Sequence, residues 1–371
     1  MKIGIWAKCL DIEQKTGLEI YTENLIRGLA KIDSQNDYLL YSDHPLETDY
    51  LPKNFKLKVL PWPFPKLWTQ IRLPWELASS KPNLIFFPSF ASPLFLPVKS
   101  VITIHDLFFF DFPQHYSLME RLILSFWVNQ TALNRASAII VPSEYIKNLM
   151  VKKWPDFKNK IFVTHLGYNP EYRPRPVQEI ERVKKEHKLK TAYFIHVVGG
   201  YVARKNSLRV LEAFKMLNPA QKNVTMVLVG RDFGPEYQKT QKAVDDLGLK
   251  KRVLFLKYLP TADLAALLCG AIASVYPSLS EGFGLPVLEA MACGVPVVTS
   301  NLGAMAEVAG QAALLVNPHS VAEIAKAMEA LWEEARLREK YQTLGLKRAK
   351  HFSWQKCAQE TLKIFETVGA K

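Results

Sequence analysis

The sequence predicts an α/β protein of two doubly wound, parallel-sheet domains facing a cleft. Three observations predict it. Short apolar runs alternate with helix-length segments along the whole chain, a pattern that sets strands in parallel with helices on both faces of the sheet. A length of 371 residues suits two domains of ordinary size. The alternation breaks once, over 169–190, where Pro170, Pro174 and Pro176 precede a charged stretch. The expected organisation is a first domain over 1–170, a linker over 171–190, a second domain over 191–352 and a terminal segment over 353–371.

In the first domain, strands are expected at 2–6, 38–42, 57–60, 84–87, 100–104, 138–141 and 161–164. Helices are expected at 20–32, 67–78, 118–136 and 143–153. Pro74 interrupts the second of these helices, and Ser143 suits the N-cap of the last, where a hydroxyl accepts from a free N–H. The second domain repeats the style. Its strands are expected at 193–198, 225–229, 253–256, 273–276, 295–299 and 313–315, and its helices at 207–217, 236–247, 261–269, 286–292, 320–330 and 335–346. A last helix is expected at 354–368.

Hydrophobic residues make up 49% and charged residues 22%, a globular balance with apolar content for two cores. Cys9, Cys269, Cys293 and Cys357 show no metal-like spacing and read as free buried thiols in a reducing compartment. Residues 2–6 look like a strand, not a signal peptide. The longest apolar candidate, 84–98, is cut by Pro88, Pro93 and Pro97 and falls short of the roughly 18 residues of a spanning helix. A cytoplasmic protein is expected, with room for peripheral contact at the inner face of a membrane. The net charge of +13 is spread over both halves. It favours an anionic partner, such as nucleotide phosphates or a membrane face. Nucleic acid is not expected, because no motif for it appears.

The chemistry concentrates in Ser278 to Val298. Gly282 and Gly284 free the backbone beside Phe283 and Leu285. Pro286 suits the first helical position, and Gly294 a helix stop. Glu281 then lies in a loop and Glu289 in or just past the first helical turn. Two carboxylates at a helix N-terminus, whose N–H groups attract anions, can accept sugar or ribose hydroxyls. A second cluster is Arg204 and Lys205, after Gly199 and Gly200, where two cations can meet a diphosphate. Asn206 could cap the following helix. Gly17 lies in the loop after the first strand and would let a phosphate or sugar approach. His105 and Asp106 end the strand at 100–104, where a histidine can bond a sugar near a reacting centre.

These blocks resemble a known family. Glu-Gly-Phe-Gly-Leu-Pro-x-x-Glu-Ala-Met-Ala-x-Gly-x-Pro-Val, with Gly199 to Asn206 and Thr16 to Leu25, is similar to the signature of the retaining glycosyltransferase family 4, of GT-B fold. The resemblance covers nearly the whole chain. It implies a nucleotide-sugar donor held by the second domain, an acceptor-side first domain, and a last helix that crosses back. It implies that Arg204 and Lys205 hold the donor diphosphate and stabilise the leaving group, and that Glu281 and His105 act beside them. Donor contacts are implied for Gly17, Gly200, Gly230, Tyr258, Leu259, Gly282, Phe283, Gly284, Leu285 and Glu289, with the turn at Tyr258 to Pro260 against the nucleobase. Glu19 departs from the family's pattern in the first loop.

No cofactor and no metal are expected, since no Asp-x-Asp ends a strand and charge neutralisation by Arg204, Lys205 and a helix N-terminus can replace a divalent ion. The blocks around Arg204 and His105-Asp106-Leu107 look most like the mannosyltransferase side. GDP-mannose is therefore the first donor and a saccharide or lipid-linked glycan the acceptor, as in polysaccharide biosynthesis. UDP-glucose or UDP-N-acetylglucosamine is the alternative, as is a non-catalytic nucleotide-sugar-binding protein. A nicotinamide dehydrogenase would need Gly-x-Gly-x-x-Gly after the first strand, where the chain reads Trp6-Ala7-Lys8-Cys9-Leu10. Two aromatic stretches suit a headgroup interface: 61–77, with Trp62, Phe64, Trp68, Trp75, Lys66 and Arg72, and 107–112, with Phe108, Phe109, Phe110 and Phe112.

Overall fold

The computed structural model describes residues 1–10, 17–64, 67–90, 92–111, 113, 116–217 and 223–370. The chain forms two compact units. One comprises Met1–Gly167 with Ser353–Lys371, the other Tyr168–Phe352.

Among the described residues, the first unit holds seven strands: β1 (Lys2–Trp6), β2 (Asp37–Ser42), β3 (Phe55–Val59), β4 (Leu84–Phe87), β5 (Lys99–Thr103), β6 (Ala138–Val141) and β7 (Ile161–Val163). They form one sheet in the order β3-β2-β1-β4-β5-β6-β7, parallel throughout. The interior strands β4 and β6 are buried along their whole length, which is why they read as unbroken apolar runs. The helices are α1 (Gly17–Ile32), α2 (Leu73–Ser80), α3 (Phe108–Asp111), α4 (Leu118–Trp127) and α5 (Glu144–Lys153). Ser143 caps α5, its hydroxyl accepting from the Ile146 N–H at 3.3 Å.

Two expected helices change winding. The segment read as 67–78 opens with a π-helical turn, Trp68–Arg72, before α2. Pro74 has no N–H and its ring crowds the carbonyl four residues back, and the Leu73 N–H reaches Trp68 O instead. The segment read as 118–136 ends as α4 at Trp127 and continues as a π-helical turn, Val128–Leu133. There the Asn129 amide and the Thr131 hydroxyl donate to Ser125 O and Trp127 O at 2.9 and 2.7 Å. Side-chain donors at these carbonyls compete with the regular ladder and widen it.

The second unit opens with α6 (Val177–Glu186), inside the stretch expected as a linker. Its buried Val183 and the contact of Ile180 with Gly270 seat it on the unit. Six strands follow among the described residues: β8 (Ala192–Gly200), β9 (Val224–Arg231), β10 (Val253–Leu256), β11 (Ala273–Tyr276), β12 (Val297–Ser300) and β13 (Leu314–Val316), in the parallel order β10-β9-β8-β11-β12-β13. The helices are α7 (Ser207–Met216), α8 (Pro235–Asp246), α9 (Thr261–Cys269), α10 (Leu285–Ala292), α11 (Gly303–Ala309), α12 (Val321–Glu333) and α13 (Ala335–Ala349). Buried His196 lies on β8, beside β11. Its Nδ1 donates to Val275 O at 2.7 Å and its Nε2 accepts from the Ser207 hydroxyl at 3.1 Å. Burial pushes this imidazole down to about 4, so it is a neutral core group.

The last helix, α14 (Trp354–Ala370), belongs to the first unit. It packs on α1, where a Cβ at Gly28 would lie 2.9 Å from Trp354 O, and its Phe365 ring meets Phe86 at 5.2 Å.

Candidate active site

In the second unit, two loops at the carboxyl ends of neighbouring strands interlock. At its end β8 passes Gly199, at φ +62°, and Gly200, and the chain then enters a single 3-10 turn, Ala203–Lys205. Beyond β11 it runs through Ser278 to Glu281. The Leu279 N–H and the Ser278 hydroxyl donate to Arg204 O at 2.7 and 2.9 Å. Arg204 Nη1 donates in turn to Ser280 O at 3.2 Å and forms an ion pair with Glu281. Glu281 also accepts from the Tyr276 hydroxyl at 2.7 Å and the Ser278 hydroxyl at 3.4 Å. Charge-assisted bonds of this kind are the strong ones, so the Glu281 carboxylate is held in a fixed orientation.

Asn206 corrects one expectation. It takes a left-handed conformation, φ 65°, and its side chain does not cap α7. It is buried and ties three segments together. Its amide donates to Pro277 O and Pro318 O at 3.0 and 2.7 Å, and its carbonyl accepts from Arg209 at 2.9 Å. The N-terminus of α7 therefore carries no side-chain cap beside Arg204 and Lys205. The N-terminus of α10 has none either, and its N-cap is Gly284 at φ 106°. Two uncapped N-termini offer free N–H groups and positive dipole ends to an anion. α10 begins at Leu285, so Pro286 is its second residue, not its first. Gly282 and Phe283 are buried, with the Phe283 ring edge-on to Phe352 at 5.7 Å.

Lys205 donates to Val198 O. Burial pushes its ammonium down to about 8, opposed by Glu281 and assisted by Arg204. A cation at this pKa gains charge when an anion arrives. Glu289 lies one turn into α10. Burial pushes its carboxyl up to about 8 against the hydrogen bond from Tyr172. Tyr172 feels both Glu289 and Tyr258, and Tyr276 feels both Glu281 and Glu289. The unit thus gathers Arg204, Lys205, Glu281, Glu289 and Tyr258. Tyr258 stands 48% exposed at the end of β10, with Leu259 partly covered beside it. Gly230 has a packing reason of its own, since a Cβ there would lie 2.6 Å from Val198 Cγ2. At Gly200 a Cβ would meet nothing within 4 Å. The sequence reading missed Tyr172, Tyr276 and Ser278, and gave Asn206 a different role; all four hold the site. Only Tyr276 and Ser278, flanking Pro277 beside the glycine loop, carried a local signal.

In the first unit, His105 follows β5. Its Nε2 lies 2.7 Å from Pro88 O, so that nitrogen carries the proton and Nδ1 is left as an acceptor. Burial pushes the imidazole down to about 4, against Pro88 O and Glu19. The Tyr21 ring meets it edge-on at 4.7 Å. Gly17 opens α1, and a Cβ there would meet nothing within 4 Å; Thr16 lies outside the described residues. Among the described residues, no group of three or more His, Cys, Asp or Glu side chains could hold a metal ion.

Comparison with known proteins places this geometry. Residues 15–172 match the family model described as Glycosyltransferase Family 4, and residues 178–348 the model described as Glycosyl transferases group 1. O-antigen chain mannosyltransferase B of Escherichia coli is 30% identical over 303 residues, covering 80% of this chain and 77% of that protein. Among solved structures, sucrose-phosphate synthase from Thermosynechococcus elongatus aligns over 100% of this chain and 99% of its own, with TM-score 0.80 and 20% identity. Anabaena HepE, solved in complex with UDP-glucose, aligns over 100% of both chains with TM-score 0.78 and 19% identity. With both halves matched and a relative at this identity over most of its length, the chain belongs to the group 1 glycosyltransferases of family 4 and GT-B fold, as a mannosyltransferase-like hexosyltransferase.

Proposed function

We propose that this glycosyltransferase moves mannose from GDP-mannose to a hydroxyl of a saccharide or lipid-linked glycan, with retention at the anomeric carbon and without a divalent metal. The interlocked Arg204–Glu281 loops between two uncapped helix N-termini carry this reading. In it, the second unit binds the donor. Tyr258 and Leu259 lie against the base, Glu289 accepts the ribose diol, and Arg204, Lys205 and the helix N-termini neutralise the diphosphate. As the C1–O bond breaks, the leaving diphosphate gains charge that these cations stabilise. Glu281 orients sugar hydroxyls and favours the positive charge growing on C1. The first unit serves the acceptor side, and His105 accepts a hydrogen bond from a sugar hydroxyl through Nδ1. The similarity to an O-antigen mannosyltransferase favours mannose. The likeness to a protein solved with UDP-glucose keeps UDP-glucose and UDP-N-acetylglucosamine as the second reading.

The test is transfer and donor hydrolysis with each nucleotide sugar in excess EDTA, beside a thermal-shift panel. A donor at 100 times its Kd should stabilise the fold by about 2.7 kcal/mol. Turnover of GDP-mannose in EDTA is the expected result. Loss of activity that magnesium or manganese restores would overturn the metal-free reading. A clear preference for a UDP sugar would replace the donor. Binding without turnover would make the protein a non-catalytic binder.

The two aromatic stretches bury part of the apolar surface that a membrane contact there would need. Phe108 and Phe109 are buried, Trp68 is fully buried with its indole N–H on Leu60 O at 2.8 Å, and Lys66 and Phe112 lie outside the described residues. Trp75 stays 70% exposed. The stronger feature is α4, which buries none of its residues. Leu118, Met119, Leu122, Ile123 and Phe126 stand exposed along one face, as the spacing i, i+1, i+4, i+5, i+8 dictates. A reciprocal capping box of Ser117 and Glu120 closes its start. No described helix is long and apolar enough to cross a membrane. We infer that α4 lies in the surface of an anionic membrane that carries the acceptor, with the net charge of +13 adding attraction. Sedimentation with vesicles containing anionic lipid should carry the protein down, and Leu122→Glu with Phe126→Glu should release it. Equal binding by the double variant would overturn the assignment.

A further inference from the structure

The sequence offers four separate cysteines, expected as buried thiols. In the structure all four are free and three are buried; Cys269 departs from the expectation in being partly exposed. Cys269 ends α9 partly exposed, and Cys293 follows α10, buried. The two side chains are neighbours, and each acts on the ionisation of the other. Cys269 Sγ also lies 3.4 Å from Cys293 O and 3.4 Å from Arg173 O. Arg175 packs on the same sulfur. It is anchored by Glu179 at 3.2 Å and Glu171 O at 2.6 Å, with its Nε buried and without a hydrogen-bond partner. Cys293, then the main chain and charge of Arg175, draw the Cys269 thiol below its ordinary range against its burial. Cys293 is pushed up by Cys269 and by burial. Cys9 and Cys357 differ, since burial pushes them up to about 11 and about 12. A partly exposed sulfur set against a second cysteine is the arrangement that oxidants select.

We propose that Cys269 and Cys293 are an oxidative modification site, converted by a hydroperoxide to a disulfide that alters donor binding through Glu289. The Cys269 thiolate attacks the peroxide oxygen, the O–O bond breaks, and the leaving alkoxide or hydroxide takes a proton, which leaves Cys269 as the sulfenic acid. The Cys293 sulfur then attacks that sulfur, and its proton departs with the hydroxyl as water. Two thiols and one hydroperoxide give one disulfide, one alcohol (or water) and one water. The link to Glu289 is short. The Cys293 N–H donates to Glu289 O at 3.1 Å. Tyr172, which bonds the Glu289 carboxyl, lies three residues before Arg175. Closing the bond shifts both segments that hold this carboxyl, because disulfide geometry is specific. This second half rests on Glu289 as a donor contact, and the first half does not.

The full chain is treated with hydrogen peroxide and followed by thiol titration, intact mass and peptide mapping. The expected result is loss of two thiols, a mass lower by two hydrogens, a Cys269–Cys293 linked peptide, and full reversal by dithiothreitol. In Cys293→Ser, dimedone should trap a sulfenic acid at Cys269. Oxidation that spares Cys269, or that takes it to the sulfinic acid without a linked peptide, would overturn the site. The oxidised wild type should show a raised KM for GDP-mannose, and Cys269→Ser no response to peroxide. A linked peptide with unchanged KM would overturn the coupling alone. If no nucleotide sugar is turned over, the mapping still decides the site.

Discussion

Lys205→Ala and Arg204→Ala should each lower turnover by about a hundredfold, or ~3 kcal/mol of transition-state stabilisation. Lys205 has its ammonium partly buried at a main-chain carbonyl, with its charge penalised and a carboxylate nearby. Such a cation is worth most when negative charge grows beside it. On the proposed reading it stabilises a departing diphosphate more than an intact donor, so its loss should fall on kcat. Arg204→Ala removes a second cation and also frees Glu281, whose partners would fall to Tyr276 and Ser278. The Arg204 variant should therefore show the larger loss of Tm, and Arg204→Lys should recover part of the rate but not the fixed carboxylate. Steady-state kinetics beside thermal melts separate the two effects. Near-wild-type turnover in both alanine variants would remove the diphosphate assignment.

The two carboxylates should separate kinetically. Glu281→Gln should depress kcat, because on the proposed reading the carboxylate held by Arg204, Tyr276 and Ser278 favours charge that exists chiefly in the transition state. Glu289→Gln should raise the donor KM, since a bond to a ribose diol is shared by ground and transition states, and a charged bond is worth about 1.5–3 kcal/mol. The raised pKa of Glu289 adds a pH signature. Below about 8 this carboxyl keeps its proton in the fold, and only the ionised form accepts both hydroxyls. Donor affinity should climb as pH rises to about 8 and then fall as Lys205, also at about 8, loses its charge. Glu289→Gln should flatten the rising limb and Lys205→Arg the falling one. The signs for stability are opposite. Between about 4.5 and 8 the folded Glu289 holds a proton that the unfolded chain has released, so its contribution falls with pH. From about 8 to about 10.4 the unfolded Lys205 holds the extra proton, so stability rises. A kcat effect confined to Glu289→Gln and a KM effect confined to Glu281→Gln would reverse the roles.

The sheets were legible because a strand covered on both faces is a compact apolar run, and β4, β6 and β11 are such runs. The loop from Ser278 to Glu289 was legible because glycine, proline and carboxylate occur at fixed spacing. Partners distant in sequence left no trace. Nothing around Tyr172 announces that it bonds Glu289, and nothing around Asn206 announces that it reaches Pro318 O. α6 was hidden by its own chemistry, since prolines and charges outnumber the few apolar residues that seat it. α11 was missed because its seven residues open with Gly303 at φ 64° and without a cap. The aromatic stretch at 107–112 misled, since aromatics serve cores and interfaces alike, whereas the exposed face of α4 looked like any amphipathic helix.

The return of α14 to the first unit sets an order of assembly during translation. β1 to β7 leave the ribosome before the second unit, yet the surface around Gly28 and Phe86 waits for a helix that is synthesised after it. The middle of the chain can close its own core in the meantime, so the unit that begins first finishes second, against the usual N-terminal-first sequence. Until then the nascent chain carries an uncovered apolar strip, a natural client surface for chaperones. A stop codon shortly before Trp354 would cost a wall of the first unit, not a dispensable tail.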